Sequence, residues 1–162
     1  MNLLFKVGDK VVYPQHGAGI ITDKKKVSIM GEEKEYFVLH INIDDMDVMI
    51  PADNIESSGL RYVMSKEEMK EIIDILKDER SKMSKNWNKR FRNNLNKIKE
   101  GNIEEIAEVA KNLELLDDEK SLSTGERKIL NSAKQILISE IIVVYDIDYD
   151  QAEKMLMQAI HD

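Results

Sequence analysis

The sequence has no cysteine, which excludes disulfides and thiolate metal sites. No stretch approaches the roughly 18 apolar residues of a membrane span, and the opening MNLLFKVGDK lacks the long apolar core of a signal peptide. A cytoplasmic location is therefore expected, with no membrane contact. An assembled catalytic set is lacking as well. The three histidines, His16, His40 and His161, fall in a turn, a strand and beside the C-terminus, with no pair at helical metal-ligand spacing. No serine or threonine stands in a nucleophile motif. Gly17 and Gly19 lack the continuation of a phosphate-cradling G-x-G-x-x-G loop. The acidic pairs Asp44/Asp45 and Asp117/Asp118 sit in predicted turns, where solvation explains them. The expectation is a protein without catalytic residues, metal, cofactor or small-molecule substrate.

What is present is a chain of 162 residues, 42% hydrophobic and 34% charged, with a formal net charge of −7. That charge argues against a protein that coats nucleic acid on its own. The patterning is uneven, however. Residues 80–99 hold Arg80, Lys82, Lys85, Lys89, Arg90, Arg92, Lys97 and Lys99 and no acid at all. A local basic island on an acidic protein fits a positioned contact better than a general affinity for polyanions.

The first sixty residues read as short strands. Lys10–Tyr13 ends at Pro14, and His16-Gly17-Ala18-Gly19 supplies turn chemistry. Ile20–Ile29 and Tyr36–Ile43 have strand composition around a turn at Gly31-Glu32-Glu33, and Asp44-Asp45 leads to a strand over Met46–Ile50. Such spacing predicts a small antiparallel β-barrel of the SH3 or Tudor kind. Ser57-Ser58-Gly59 marks the boundary between a domain of residues 1–60 and one of residues 61–162. Beyond it the apolar period is helical. Met69, Ile72, Ile73 and Leu76 follow the capping box Ser65/Glu68, and Trp87, Phe91, Leu95 and Ile98 form a stripe stopped by Gly101. Asn102/Glu105 and Ser123/Glu126 open two further helices, and Asp148 caps a last one. The fold class is α+β: a small β-barrel followed by an all-α bundle of about five helices.

Asn86-Trp87-Asn88-Lys89-Arg90-Phe91-Arg92 combines the chain's single tryptophan with the basic island. At about 100° per residue, Trp87, Phe91, Leu95 and Ile98 share one helix face while Lys85, Lys89, Arg92 and Lys99 lie opposite. Two readings stand side by side. Trp87 is a core residue of an amphipathic helix, or, being first in the helix, it leaves the core and stacks on an opened base step while cations hold phosphates.

The opening Phe5-Lys6-Val7-Gly8-Asp9-Lys10-Val11-Val12-Tyr13-Pro14 with His16-Gly17 resembles the start of the CarD/CdnL regulators, a module shared with transcription-repair coupling factors. Glu33–Leu39, Pro51-Ala52 with Asn54, Asn86-Trp87 and Leu122-Ser123-x-Gly125-Glu126 continue the resemblance over nearly the whole chain. No helicase motif accompanies it. The resemblance implies a Tudor-like domain that docks on the β subunit of RNA polymerase through its strands, with Lys25, Lys26, Val27, Val48 and Met49 as contacts. Two arginines that some members use there align with Val27 and Met49, so this contact is expected to be more apolar. It further implies a helical domain that reaches promoter DNA at the upstream edge of the bubble and favours the open complex. Asn86, Trp87, Lys89, Arg90, Arg92, Arg127 and Lys128 match the DNA-contacting positions. Its place would be in the nucleoid, through polymerase. The rival reading is a protein-interaction adaptor without DNA contact, which would not require an acid-free basic island.

Overall fold

The computed structural model describes residues 5–14, 16–78 and 81–162. Among them the chain forms five strands and then five α-helices. The strands are β1 (Lys10–Tyr13), β2 (Gly17–Ile29), β3 (Glu32–Ile41), β4 (Met46–Pro51) and β5 (Arg61–Tyr62), with a 3₁₀ turn at Ala52–Asn54. They make one antiparallel sheet in the order β4-β3-β2-β1-β5. The expected barrel is an open sheet, because β4 and β5 at its two edges do not pair. β5 has two residues, both spent on β1, where Arg61 faces Val12 and Tyr62 faces Val11. The sheet's core is covered instead by side chains outside the ladder. Phe5, Ile55 and Leu60 lie over Val11, Ile21, Phe37, Leu39, Ile41 and Ile50.

β2 and β3 form a long hairpin, paired out to Ile29 and Glu32 and running past the end of β4. Its two turn residues are Met30 (φ 53°) and Gly31 (φ 84°), and a two-residue turn with positive φ at both positions favours Asn-Gly. A register shift between Ile21 and Asp23 exchanges the faces along β2.

The helices are α1 (Lys66–Lys77), α2 (Trp87–Glu100), α3 (Ile103–Glu119), α4 (Thr124–Tyr145) and α5 (Tyr149–His161). Every one starts on a side-chain cap: Ser65, Asn86, Asn102, Ser123 and Asp148 each accept the backbone N–H three residues on. α2 ends at Gly101 in the left-handed region. α4 is the axis of the molecule. It packs on α2, α3 and α5, and its Leu130, Leu137 and Ile138 are buried with Met69, Ile72, Ile106, Leu113 and Leu156.

α4 also joins the helices to the sheet. Val12 and Ala18 of the strands belong to the helical core. Ala18 donates its N–H to Ser139 Oγ at 3.2 Å, and a Cβ at Gly17 would stand 3.0 Å from that oxygen. The Glu140 carboxylate, 1% exposed, accepts two bonds of 3.0 Å from Arg61 and one of 3.1 Å from the Met64 N–H. The strand at Arg61–Tyr62 thus carries the sheet past residue 60 and onto α4.

The hairpin turn generates one prediction. A left-handed residue without glycine's freedom costs about 1–2 kcal/mol, and asparagine relieves part of it. Met30, 99% exposed, gives up no packing when replaced. Met30→Asn is expected to stabilise the protein by about 1 kcal/mol, raising Tm by about 2–4 °C. An unchanged or lower Tm in calorimetry would show that the turn gains nothing from Asn-Gly chemistry.

Candidate nucleic-acid and protein interfaces

The stripe on α2 does not bury as the sequence suggests. Its buried residues are Arg90 and Asn94, while Phe91, Leu95 and Ile98 are partly buried against the helical core. Trp87, at the head of the helix, is 43% exposed, which removes the core reading. One face of the indole stacks on Phe91, with ring centroids 5.1 Å apart and planes 16° apart. Its Nε1–H donates to Ser123 Oγ at 3.2 Å. The ring is therefore held at one edge and one face and open to solvent elsewhere.

The cations near it separate into two groups. Lys89 and Arg92 are exposed and, among the described residues, have no acidic partner. With Asn86, Asn88 and Asn93 they line an open depression of about 530 Å³ without a single carboxylate. Asn88 and Asn93 were not candidates from the sequence, because asparagines on a solvated face carry no periodic signal. Lys128 is exposed and lines a second depression, of about 340 Å³, with Phe91, Leu95, Gly125 and Ile129.

Arg90 and Arg127 differ. Arg90 is 9% exposed. Its Nε and Nη2 donate to the Glu126 carboxylate at 2.7 and 3.1 Å, and Nη1 donates to the Ser84 carbonyl at 3.3 Å. The bond to Glu126 raises its pKa further above the ordinary guanidinium value. Arg90 is thus a strut between α2 and α4 and is not available as a phosphate contact, which corrects its assignment from the sequence. The helical period carries the signal: about 60° from Trp87 and on the side of Asn94, position 90 turns inward. Arg127 is exposed, but its Nη1 and Nη2 donate to Asp117 at 3.1 and 3.0 Å. Asp117 and Asp118 are not in a turn; they belong to the last turns of α3. The bond from Arg127, and then that from the Leu122 N–H, holds Asp117 below the usual carboxylate range. A depressed carboxylate pKa means that this pair contributes above the ordinary carboxylate range and is lost as pH falls through the lowered value. At neutral pH Arg127 is locally neutralised. Arg80 of the basic island lies outside the described residues.

On the sheet, the expected polymerase contacts fall on two faces. Lys25 pairs with Tyr36, Val27 with Lys34 and Met49 with Val38, so these three project from one face. Lys26 faces Glu35 and Val48 faces Leu39, which places them on the other face, where Val48 packs against the sheet core. Met49 is 47% exposed on the edge strand. The strand's outer side pairs with no other strand among the described residues.

One group of metal-ligating side chains comes together among the described residues: Glu114, Asp118 and His161, within 4.8 Å of one another. Lys134 Nζ already sits 2.9 Å from Glu114, and His161 lies 3.4 Å from Asp118. This is an ion-pair cluster that ties α5 and α4 to α3. No helix of the described residues is long and apolar enough to cross a membrane.

The pairing of Arg127 can be tested. For the DNA contact expected from the sequence, Asp117→Asn would free Arg127, raise duplex affinity and steepen the dependence of log K on log salt by up to about 0.9. Arg127→Ala is expected to leave the slope almost unchanged. Salt-titrated anisotropy on a promoter duplex separates the two, and a slope that falls by about 0.9 in Arg127→Ala would show that the arginine already holds a phosphate.

Residues 5–64 match the CarD-like/TRCF RID domain and residues 71–157 the CarD C-terminal domain. "Putative transcription factor YdeB" of Bacillus subtilis (strain 168) is 38% identical over 148 residues, covering 91% of this chain and 97% of that protein. Among solved structures, the 72-residue N-terminal domain of Myxococcus xanthus CarD, determined by NMR in solution, is 26% identical and covers 38% of this chain and 83% of its own, with a TM-score of 0.32. Both parts of the molecule, in order and almost end to end, thus carry the signature of one family of transcription factors, and the chain belongs to the CarD/CdnL family of transcription regulators.

Proposed function

We propose that this regulator docks on the β subunit of RNA polymerase through its sheet and contacts promoter DNA through the head of α2, stabilising the open complex at the upstream edge of the bubble. The observation that carries the proposal is Trp87: a half-exposed indole at a helix start, stacked on Phe91 and bonded to Ser123. A large aromatic left in solvent, on a helix start that also carries Lys89 and Arg92 and packs next to Lys128, none with an acidic partner among the described residues, suits a base step that has come apart, with phosphates nearby. Docking is assigned to the face that carries Lys25, Val27 and Met49.

The mechanism is a population shift. A ligand that touches DNA only when the bubble is open favours that state by its differential affinity. It needs little DNA affinity of its own, because docking on polymerase supplies a high effective concentration. No chemical step is involved, and the protein acts as a binding module in the cytoplasm, wherever polymerase is engaged.

Two expectations follow. Met49→Glu is expected to weaken polymerase binding by about tenfold or more, since an interface that covers this position buries an unpaired carboxylate, while the exposed site leaves Tm nearly unchanged. Wild-type affinity of the folded variant, measured by interferometry, would remove Met49 from the interface. Trp87→Ala is expected to leave the helices folded and docking intact. Because stacking on a base is worth about 1–3 kcal/mol, the open-complex lifetime should shorten between several-fold and about a hundredfold. A folded Trp87→Ala protein with a wild-type lifetime would shift the protein to the adaptor class.

A further inference from the structure

We infer that Ser123 and Gly125, at the head of α4, are positioning residues that fix the indole of Trp87 in one orientation before it meets DNA. The inference rests on the assignment of Trp87 as the DNA-contacting residue. The segment Ser123-x-Gly125-Glu126 touches the first turns of α2 at three points. Ser123 Oγ accepts the indole N–H at 3.2 Å while also accepting the Glu126 N–H at 3.2 Å as the helix cap. Glu126 takes the Arg90 guanidinium. Gly125 takes the Phe91 ring: a Cβ at this position would stand 2.8 Å from Phe91 Cε1 and 3.5 Å from Cδ1 and Cζ. Phe91 in turn carries the Trp87 ring. Indole, phenyl ring and α4 backbone thus form one stack, and its height is set by the missing side chain at 125.

Capping of α4 alone does not explain this arrangement. A cap at the head of α4 needs only an oxygen that accepts a backbone N–H; it does not need a tryptophan on the same oxygen. Glycine within a helix is disfavoured relative to alanine, so helix propensity alone would favour alanine at 125. Glycine there leaves the space that the Phe91 ring fills, and with it sets where Phe91 and the Trp87 ring stacked on it can lie. The benefit is preorganisation. An exposed tryptophan at a helix end samples several rotamers, and freezing them on binding weakens the contact; here the orientation is fixed in the free protein.

The test uses full-length Gly125→Ala, Ser123→Ala, Ser123→Thr and Trp87→Ala proteins. Trp87 is the chain's only tryptophan, so acrylamide quenching of its fluorescence reports its orientation directly, beside Tm, polymerase affinity and open-complex lifetime. Gly125→Ala is expected to stay folded with a lowered Tm, since displacing the packed Phe91 ring outweighs the gain in helix propensity, and to keep polymerase affinity. Its Phe91 and Trp87 are displaced, so quenching increases and the lifetime falls by about two- to tenfold, the worth of one lost hydrogen bond. Ser123→Ala shows the same two effects together with loss of the cap. Ser123→Thr, which keeps the hydroxyl, restores wild-type quenching and lifetime. A folded Gly125→Ala protein with wild-type quenching and lifetime would overturn the inference, as would a Ser123→Thr protein as defective as Ser123→Ala. A Trp87→Ala protein with wild-type lifetime would overturn the DNA role itself, and that failure is recognised because it leaves the quenching differences intact.

Discussion

The molecule depends on a single buried carboxylate. Glu140 sits in the middle of α4, shut off from solvent, with its oxygens satisfied by Arg61 and the Met64 N–H. A buried charge without partners destabilises by about 3–5 kcal/mol, so the segment that leaves the sheet has one low-energy place on the helix. The neighbouring Ser139 does the same for the start of β2, where Gly17 leaves room for its hydroxyl. Sheet and bundle are thereby joined along one helix, and Val12 and Ala18 complete the joint with apolar packing. The helix that carries this joint also carries, at its head, the Ser123 cap bonded to Trp87.

The charge pattern gains meaning once the partners are known. Of the five cations matched to DNA-contacting positions, Arg90 is consumed by Glu126 and Arg127 by Asp117. Lys89, Arg92 and Lys128 remain, three candidate phosphate contacts on a protein of net charge −7. Under the proposed role, counterion release from so few contacts would give modest, salt-sensitive binding. A weak contact is what a tethered regulator requires: strong affinity for duplex DNA would draw it away from polymerase and favour closed and open promoters alike.

Much of this was legible in the sequence where the signal is local. Four of the five caps, Ser65, Asn102, Ser123 and Asp148, are read from local side chains, whereas Asn86 as the cap of α2 was not; Gly101 as a stop needs only its own conformational freedom. What was hidden depends on groups far apart in the chain. Barrel closure fails because β5 has two residues, which composition does not show. The split of Lys25, Val27 and Met49 from Lys26 and Val48 follows from the register shift at Ile21/Asp23. Arg90 reads as a surface cation by its charge, although the helical period turns it inward, and only the distant Glu126, read as the partner of the Ser123 cap, shows what it pairs with. Asp117 looks like a solvated turn residue until Arg127 packs beside it.

The rigid joint has a functional consequence under the proposed role. With a flexible linker, the effective concentration of Trp87 at the bubble edge would be spread over all linker conformations and would fall as the linker lengthened. Here the path from the docking face to the indole runs through β2, the Ser139 and Glu140 contacts and the body of α4, without a free hinge among the elements that carry them. Docking therefore delivers the indole to one distance and one direction. DNA that has opened at that place gains the stack, and DNA that is closed or opened elsewhere does not. Selectivity for the open state is then a property of the frame as much as of the aromatic ring at its end.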